Sequence, residues 1–155
     1  MIRITRQSDY GIVLLSAFVV GETGSVRNAR DLSAETQVPL PMVSKILKAL
    51  ARAGLLRSHR GVKGGYSLAR PAARITVAQI IEAIEGPIAI TECLDEEAEA
   101  CGIERVCPVR SNWNRINGAI RTALSGIALS EMTHALAPGF ALKTRPGRRE
   151  PAKVG

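Results

Sequence analysis

The three cysteines of this 155-residue chain lie in one short stretch, at positions 93, 101 and 107. Their spacing, Cys-x7-Cys-x5-Cys, contains neither the close cysteine pair that is typical of zinc sites nor a Cys-x-x-Cys redox pair. Three interpretations fit such thiols: an iron–sulfur cluster with a fourth ligand, a reversible disulfide between two of the three, or cysteines without a special role. The spacing alone leaves all three open.

Carboxylates surround these thiols and make residues 91–110 the acidic part of the chain. Neighbouring carboxylates oppose thiolate formation, whereas a bound metal deprotonates a thiol outright. The acidic surroundings therefore favour metal binding modestly over a simple thiolate sensor, although most of these side chains are expected to be solvated. They are Glu92, Asp95, Glu96, Glu97, Glu99 and Glu104.

The rest of the chain is basic. Residues 1–90 carry 12 Lys and Arg against 6 Asp and Glu, and residues 111–155 carry 7 against 2. A net charge of +7 indicates a polyanionic partner, nucleic acid before membrane. The apolar run GIVLLSAFVV at 11–20 is too short for a membrane span, and no signal cleavage site follows it, so we expect a cytoplasmic protein with reduced thiols.

Apolar periodicity predicts three helices in the first third of the chain, over residues 5–20, 29–36 and 41–53. Asn28 is a suitable N-cap for the second helix, and Gly54 is a usual stop for the third. The third helix has one apolar face and one basic face. A short helix, a tight turn and a helix with a basic outer face are typical of a helix-turn-helix, although a solvated basic stripe would give the same pattern.

Residues 55–70 predict a basic hairpin directly after that helix, because the tip GVKGG supplies three glycines within five residues. This order of elements indicates a winged helix-turn-helix, in which the third helix enters the major groove and the wing meets the backbone or minor groove. The residues expected to meet DNA are Ser44, Lys45, Lys48, Arg52, Arg60 and Lys63.

Two further helices are predicted on either side of the cysteines. Thr76 and Gln79 fit a capping box for a helix that ends at Glu85, and Pro108 suits the first turn of a long helix. Apolar residues of the long helix recur at steps of 3, 4, 4 and 3, which favours pairing between two copies over packing within one chain. These expected dimer-interface residues are Trp113, Ile116, Ile120, Leu124 and Ile127.

The predicted fold class is mainly α, with a winged helix-turn-helix head, a small β-hairpin wing and a long C-terminal dimerisation helix. The expected divisions are a DNA-binding domain over 1–87, a cysteine loop over 88–107, and the dimerisation helix with a short following segment over 108–133. Residues 138–155, which are rich in Pro, Gly and Arg, are predicted to form a disordered tail.

Three stretches resemble the Rrf-two family of winged-helix transcriptional regulators: RITRQSDYGIVLL, LPMVSKILKALARAGLLRSHRGVKGGYSLAR and ITVAQIIEAIEGPIAITEC. The element RG-x-x-GGY at 60–66, followed by three cysteines, is specific to the resemblance, which covers about residues 1–133. Within this family, which includes IscR and NsrR, CPVRSNWNRIN is similar in particular to regulators of the SUF iron–sulfur assembly system.

The resemblance implies a homodimeric repressor that senses an iron–sulfur cluster and controls SUF-type assembly genes. It also implies that Cys93, Cys101 and Cys107 are cluster ligands. IscR-like members place a histidine where this chain has Arg110, whereas NsrR-like members use an aspartate of the partner subunit at the position of Asp9. We therefore expect Asp9 of the partner subunit as the fourth ligand, with Glu104 or a small exogenous ligand as the alternatives. The first gap, x7, is longer than the x5 common in IscR-like members, so it leaves ligand geometry possible but the cluster type open. We expect 2Fe–2S, with 4Fe–4S as the alternative.

Three alternatives to this function are a thiol sensor, an enzyme and a scaffold protein. The main alternative is a cluster-free transcription factor that senses redox state through its thiols and has the same DNA-binding head. An enzyme is not expected, because the sequence has no nucleotide-binding loop, no nucleophile–base pair and no paired histidine ligands. A scaffold protein would lack salt-dependent DNA binding.

Overall fold

The computed structural model describes residues 4–20, 24–91, 94, 101–103 and 106–134. This part of the chain is mainly helical with one two-stranded antiparallel hairpin, which confirms the predicted fold class. No helix within these ranges is long and apolar enough to cross a membrane. The elements in chain order are α1 (Arg6–Val20), α2 (Ala29–Thr36), α3 (Leu40–Arg52), β1 (Leu56–His59), β2 (Gly65–Leu68), a 3-10 turn (Ala72–Arg74), α4 (Val77–Glu85), α5 (Arg110–Ser125) and α6 (Leu129–His134).

One aliphatic core joins α1, α2, α3, α4 and α6. Each helix contributes the residues of one face, and burying a Leu or Ile side chain stabilises the fold by about 1.5–3 kcal/mol. The apolar face of α3 is fully buried and leaves the basic face for solvent; it consists of Val43, Ile46, Leu47 and Leu50. Core residues include Leu14, Leu15, Leu32, Val43, Ile46, Leu47, Leu50, Ile75, Ile80 and Leu129.

Side-chain caps fix the beginnings of α2 and α4, as the sequence predicts. Asn28 Oδ1 accepts a hydrogen bond from the Asp31 backbone N–H at 2.9 Å. Thr76 and Gln79 form the full capping box, with backbone–side-chain distances of 3.1 and 3.3 Å. Such caps contribute about 1 kcal/mol each because they satisfy backbone donors that the helix leaves unpaired.

The wing is held to the segment before α2 by backbone pairing with Arg27. Arg27 and Tyr66 exchange two N–H to carbonyl hydrogen bonds, each 2.8 Å long. The Arg27 guanidinium also donates to the Ala17 carbonyl at 2.8 Å and forms an ion pair with Glu35. Burial lowers the pKa of Arg27 below its ordinary value, and the charge of Asp31 opposes this shift. One residue thus joins the wing to α1 and α2.

The long helix α5 begins at Arg110, two residues after Pro108, and it ends at Ser125, so Ile127 of the predicted seam lies outside the helix. The cause at the C-terminal end is a short backbone pairing with the segment before α4. The Ile127 carbonyl accepts the Val77 N–H at 3.0 Å, and the Leu129 N–H donates to the Ile75 carbonyl at 2.8 Å.

This pairing returns the chain to the head, where α6 packs against α1 and the 3-10 turn. Leu129 becomes fully buried in the core of the head. This burial of Leu129 was not predicted, because the residues after the long helix were expected to form only a short following segment.

We expect Gly65→Ala to destabilise the protein by about 1–3 kcal/mol, since a Cβ there would lie 2.5 Å from the Arg27 carbonyl oxygen and force two backbones apart. Gly118→Ala on α5 is the matched control, because nothing lies within 4 Å of its Cβ position. Gly118→Ala should raise the free energy of unfolding by about 0.5–1 kcal/mol, because alanine is favoured over glycine in a helix interior. Urea denaturation measures both; equal shifts of the two midpoints would contradict the tight wing contact.

Candidate nucleic-acid interface and cysteine loop

The outer face of α3 carries the predicted DNA-binding residues of this helix. Lys45, Lys48 and Arg52 are exposed, and Ser44 is half-buried. They lie opposite the apolar face because residues spaced by three or four positions share one side of a helix. This arrangement presents three cations without burying any of them.

A depression of about 720 Å³ lies beside these cations. It is lined by the outer face of α3 and by Glu82, Ala83 and Ile84 from the last turns of α4. The depression is therefore basic on the α3 side and contains one carboxylate on the α4 side. We call it the α3–α4 groove.

The turn between α3 and β1 sets the direction in which the hairpin leaves the helix. Gly54 has a φ of 73°, a left-handed conformation that glycine adopts without strain. The Leu55 N–H reaches back to the Leu50 carbonyl at 3.0 Å, which ends the helix tightly. The hairpin tip then carries Arg60 and Lys63, both exposed. The basic groups of the wing are thus free to reach a phosphate backbone.

Two of the three cysteines are within the described residues. Cys101 and Cys107 are half-buried and have free thiols, whereas Cys93 lies outside the described residues. Within the described ranges, no three metal-ligating side chains come together. Thiolates such as those of Cys101 and Cys107 bind the softer metals and iron–sulfur clusters.

Asp9, the expected fourth ligand, lies in the first turn of α1 and is exposed. A carboxylate at this position is also favoured by the helix dipole. Side chains in the same region fasten this turn to the end of α4: Thr5 Oγ1 donates to Glu85 at 2.6 Å, and Ser8 Oγ donates to the same carboxylate. The turn of α1 that carries Asp9 is therefore fastened to the end of α4, where the chain leaves for the cysteine loop.

The apolar seam of α5 is divided between its own chain and solvent. Ile120 and Leu124 are half-buried, whereas Trp113 and Ile116 are exposed. Ile127, which lies beyond the helix, is exposed as well. Part of the predicted seam therefore packs within the chain, and an apolar part including the only tryptophan remains uncovered.

Two polar residues of α5, which the sequence analysis did not single out, fix the helix to its own chain. Asn117 Nδ2 donates to the Ile88 carbonyl at 2.8 Å, and Asn117 Oδ1 accepts the Ile90 N–H at 3.2 Å. Arg121 Nε lies 3.0 Å from Glu82 Oε1 on α4. Their spacing of four residues marks one helix face, but nothing in the sequence identifies Ile88, Ile90 and Glu82 as their partners.

Comparison with known proteins agrees with this architecture. IscR, an HTH-type transcriptional regulator of Xenorhabdus nematophila, is 30% identical over 131 residues, covering 84% of this chain and 78% of IscR. The structure of CymR, the global cysteine regulator of B. subtilis, matches with a TM-score of 0.62 and 27% identity, covering 86% of this chain and 98% of CymR. The oxidised form of Staphylococcus aureus CymR matches with a TM-score of 0.61 and 26% identity, covering 85% and 96%.

The family model Rrf2, described as an iron-dependent transcriptional regulator, matches residues 4–135. These residues include the head, the described part of the cysteine loop, α5 and α6. The predicted family resemblance and the expectation that the chain is not an enzyme are both confirmed by this match. The chain belongs to the Rrf2 family of transcriptional regulators.

Proposed function

We propose that the protein is a homodimeric DNA-binding repressor that senses an iron–sulfur cluster and controls genes of SUF-type cluster assembly in the cytoplasm. The observation that carries the proposal is the placement of two half-buried free thiols, Cys101 and Cys107, between a basic head and α5. Membership of a family described as iron-dependent and the similarity to IscR support it.

DNA recognition is assigned to the outer face of α3 and to the wing. Ser44, Lys45 and Lys48 approach the major groove, and Arg52 lies nearer the phosphates. Arg60 and Lys63 at the wing tip contact the backbone or the minor groove. Their exposure supports this assignment, since no intramolecular packing has to be broken to reach DNA.

A second copy of the chain is the proposed partner of the exposed side of α5. Trp113 and Ile116 supply its apolar contacts, and burying a large aromatic side chain is strongly favourable. Ile120, Leu124 and Ile127 would border this interface. A two-fold dimer presents two α3 helices, which would read a two-fold operator.

Cys93, Cys101 and Cys107 would hold the cluster, together with Asp9 donated by the second copy. The thiolate-rich donor set suits an iron–sulfur cluster, of which 2Fe–2S is favoured and 4Fe–4S is possible. A bound cluster supplies redox and iron sensitivity that the side chains lack. Because Asp9 adjoins the turn held by Glu85, a ligand from the other chain would tie cluster state to the angle between the two heads.

A cluster-free thiol sensor is the second candidate function. It is favoured by the similarity to CymR, one of whose structures is an oxidised form, and by the partial exposure of Cys101 and Cys107. In this case two thiols would form a reversible disulfide, with both electrons passing to a peroxide or other two-electron oxidant. The DNA-binding assignment is the same for both candidates.

Protein purified without oxygen should show visible charge-transfer absorption with stoichiometric iron and sulfide. Cys101→Ala should lose this absorption and the response of DNA binding to iron chelation, because it removes a thiolate ligand, while the dimer remains folded. Val106→Ala is the matched control, since Val106 is an exposed neighbour without a ligand atom. Absorption spectra, iron and sulfide analysis and size-exclusion chromatography measure these properties.

A colourless protein that resists cluster reconstitution would refute the proposal that an iron–sulfur cluster is bound. If DNA binding by that protein still responded to peroxide and dithiothreitol, the thiol sensor would replace it. An unchanged cluster in Cys101→Ala would show that the ligand set is wrong.

Lys48→Gln should weaken binding to DNA and reduce the slope of log affinity against log salt by about 1, because one phosphate contact is lost. Arg115→Gln on α5 removes the same charge from an exposed site away from α3 and should leave the slope nearly unchanged. Fluorescence anisotropy over a salt series measures both, with a labelled operator selected from random duplexes by the unmodified protein. Equal slopes for the two variants would refute the assignment of α3.

A further inference from the structure

The α3–α4 groove contains a carboxylate where a DNA-binding surface gains nothing from negative charge. Glu82 lines it together with Lys45, Lys48 and Arg52. A carboxylate beside these cations repels phosphate and cancels part of their attraction, since interactions over a few ångströms are only partly screened. The affinity of this surface for DNA therefore depends on whether Glu82 is neutralised.

Arg121 of α5 neutralises it in this structure. Its Nε lies 3.0 Å from Glu82 Oε1, and the two side chains are 62% and 27% exposed. An ion pair this exposed contributes little to folding stability. Its main effect falls on the electrostatic potential of the groove, because Arg121 adds a positive charge beside a carboxylate that otherwise faces the α3 cations.

The position of Arg121 is tied to the segment that leads into the cysteine loop. Asn117, one helical turn earlier on α5, holds the backbone of that segment through Ile88 and Ile90. Because Asn117 and Arg121 lie four residues apart on one rigid helix, they share one face and move together. A displacement of the segment before Cys93 would therefore move α5 relative to α4.

We propose that α5 carries the state of the cysteine loop to the α3–α4 groove through these two side chains. With the Asn117 contacts intact, Arg121 covers the charge of Glu82 and the groove accepts DNA. When the segment at Ile88–Ile90 shifts, Arg121 leaves Glu82, and the uncovered carboxylate weakens DNA binding. The proposal deepens the proposed function and rests on DNA binding by α3, but it holds for a cluster or for a thiol switch in the loop.

A double-mutant cycle on DNA affinity tests the electrostatic part. Arg121→Gln should weaken binding roughly three- to tenfold at low salt, because it uncovers Glu82. Glu82→Gln should bind as tightly as the unmodified protein or more tightly. In the double variant, Arg121→Gln should cause almost no further loss of DNA affinity, since no carboxylate is left to uncover. Arg115→Gln, with the same change in net charge on the same helix, should have a clearly smaller effect.

Asn117→Ala tests the connection to the loop. It should weaken DNA binding in the same direction as Arg121→Gln, and the loss should disappear when Glu82→Gln is also present. Asn114→Ala, an exposed asparagine on the same helix, is the matched control. Circular dichroism and urea denaturation establish that each variant is folded before anisotropy is measured.

The inference would be overturned if Arg121→Gln lowered DNA affinity equally in the unmodified protein and in the Glu82→Gln background. That result would show that Arg121 contacts DNA directly. An Asn117→Ala loss that persists in the Glu82→Gln background would overturn the connection to the loop. The unmodified protein binds DNA in both of these outcomes. Failure of the unmodified protein to show salt-dependent DNA binding would instead refute the proposed function.

Discussion

The geometry of the head depends on the contacts of one half-buried arginine. Arg27 bonds through its backbone to Tyr66 of the wing, and through its side chain to the Ala17 carbonyl of α1 and to Glu35 of α2. The side chains of Arg27 and Glu35 are only 19% and 11% exposed. Removing the guanidinium would leave the Glu35 carboxylate unpaired and poorly solvated. The resulting loss of folding stability would exceed the net stabilisation that the ion pair provides. The wing thus takes its position from the same residue that joins α1 to α2.

Short sequence patterns were sufficient to predict the helix beginnings and helix faces, because these depend on residues within one or two turns of each other. Asn28 and the Thr76–Gln79 pair predicted the beginnings of α2 and α4, because a cap and its backbone donors lie within one turn. The two faces of α3 followed from the period of the helix. The end of α5 did not follow, since the pairing of Ile127 with Val77 joins residues fifty positions apart and competes with continued helix. Burial of Leu129 has the same non-local origin.

The candidate site likewise has some residues that the sequence predicted and others that only the fold reveals. Periodicity placed Lys45, Lys48 and Arg52 on the outer face of α3, and the structure has them there. Asn117 and Arg121 were missed because their importance comes from Ile88 and Glu82, which only the fold brings near. The ligand set of the cysteine loop stays a proposal, since Cys93 lies outside the described residues and Asp9 would act on a second chain.

The last turn of α4 connects the parts of the molecule that regulation has to link. Glu82 and Glu85 lie three residues apart, and each binds a different element: Glu82 pairs with Arg121 of α5, and Glu85 accepts hydrogen bonds from Thr5 and Ser8 beside Asp9. The chain leaves this turn at Gly86 and enters the segment that Asn117 holds. In the proposed mechanism, a change in the cysteine loop would therefore reach both the turn that carries Asp9 and the carboxylate of Glu82 beside α3. Since α4 packs directly against α3, such a change would need no large rearrangement of the core to alter the charge of the α3–α4 groove.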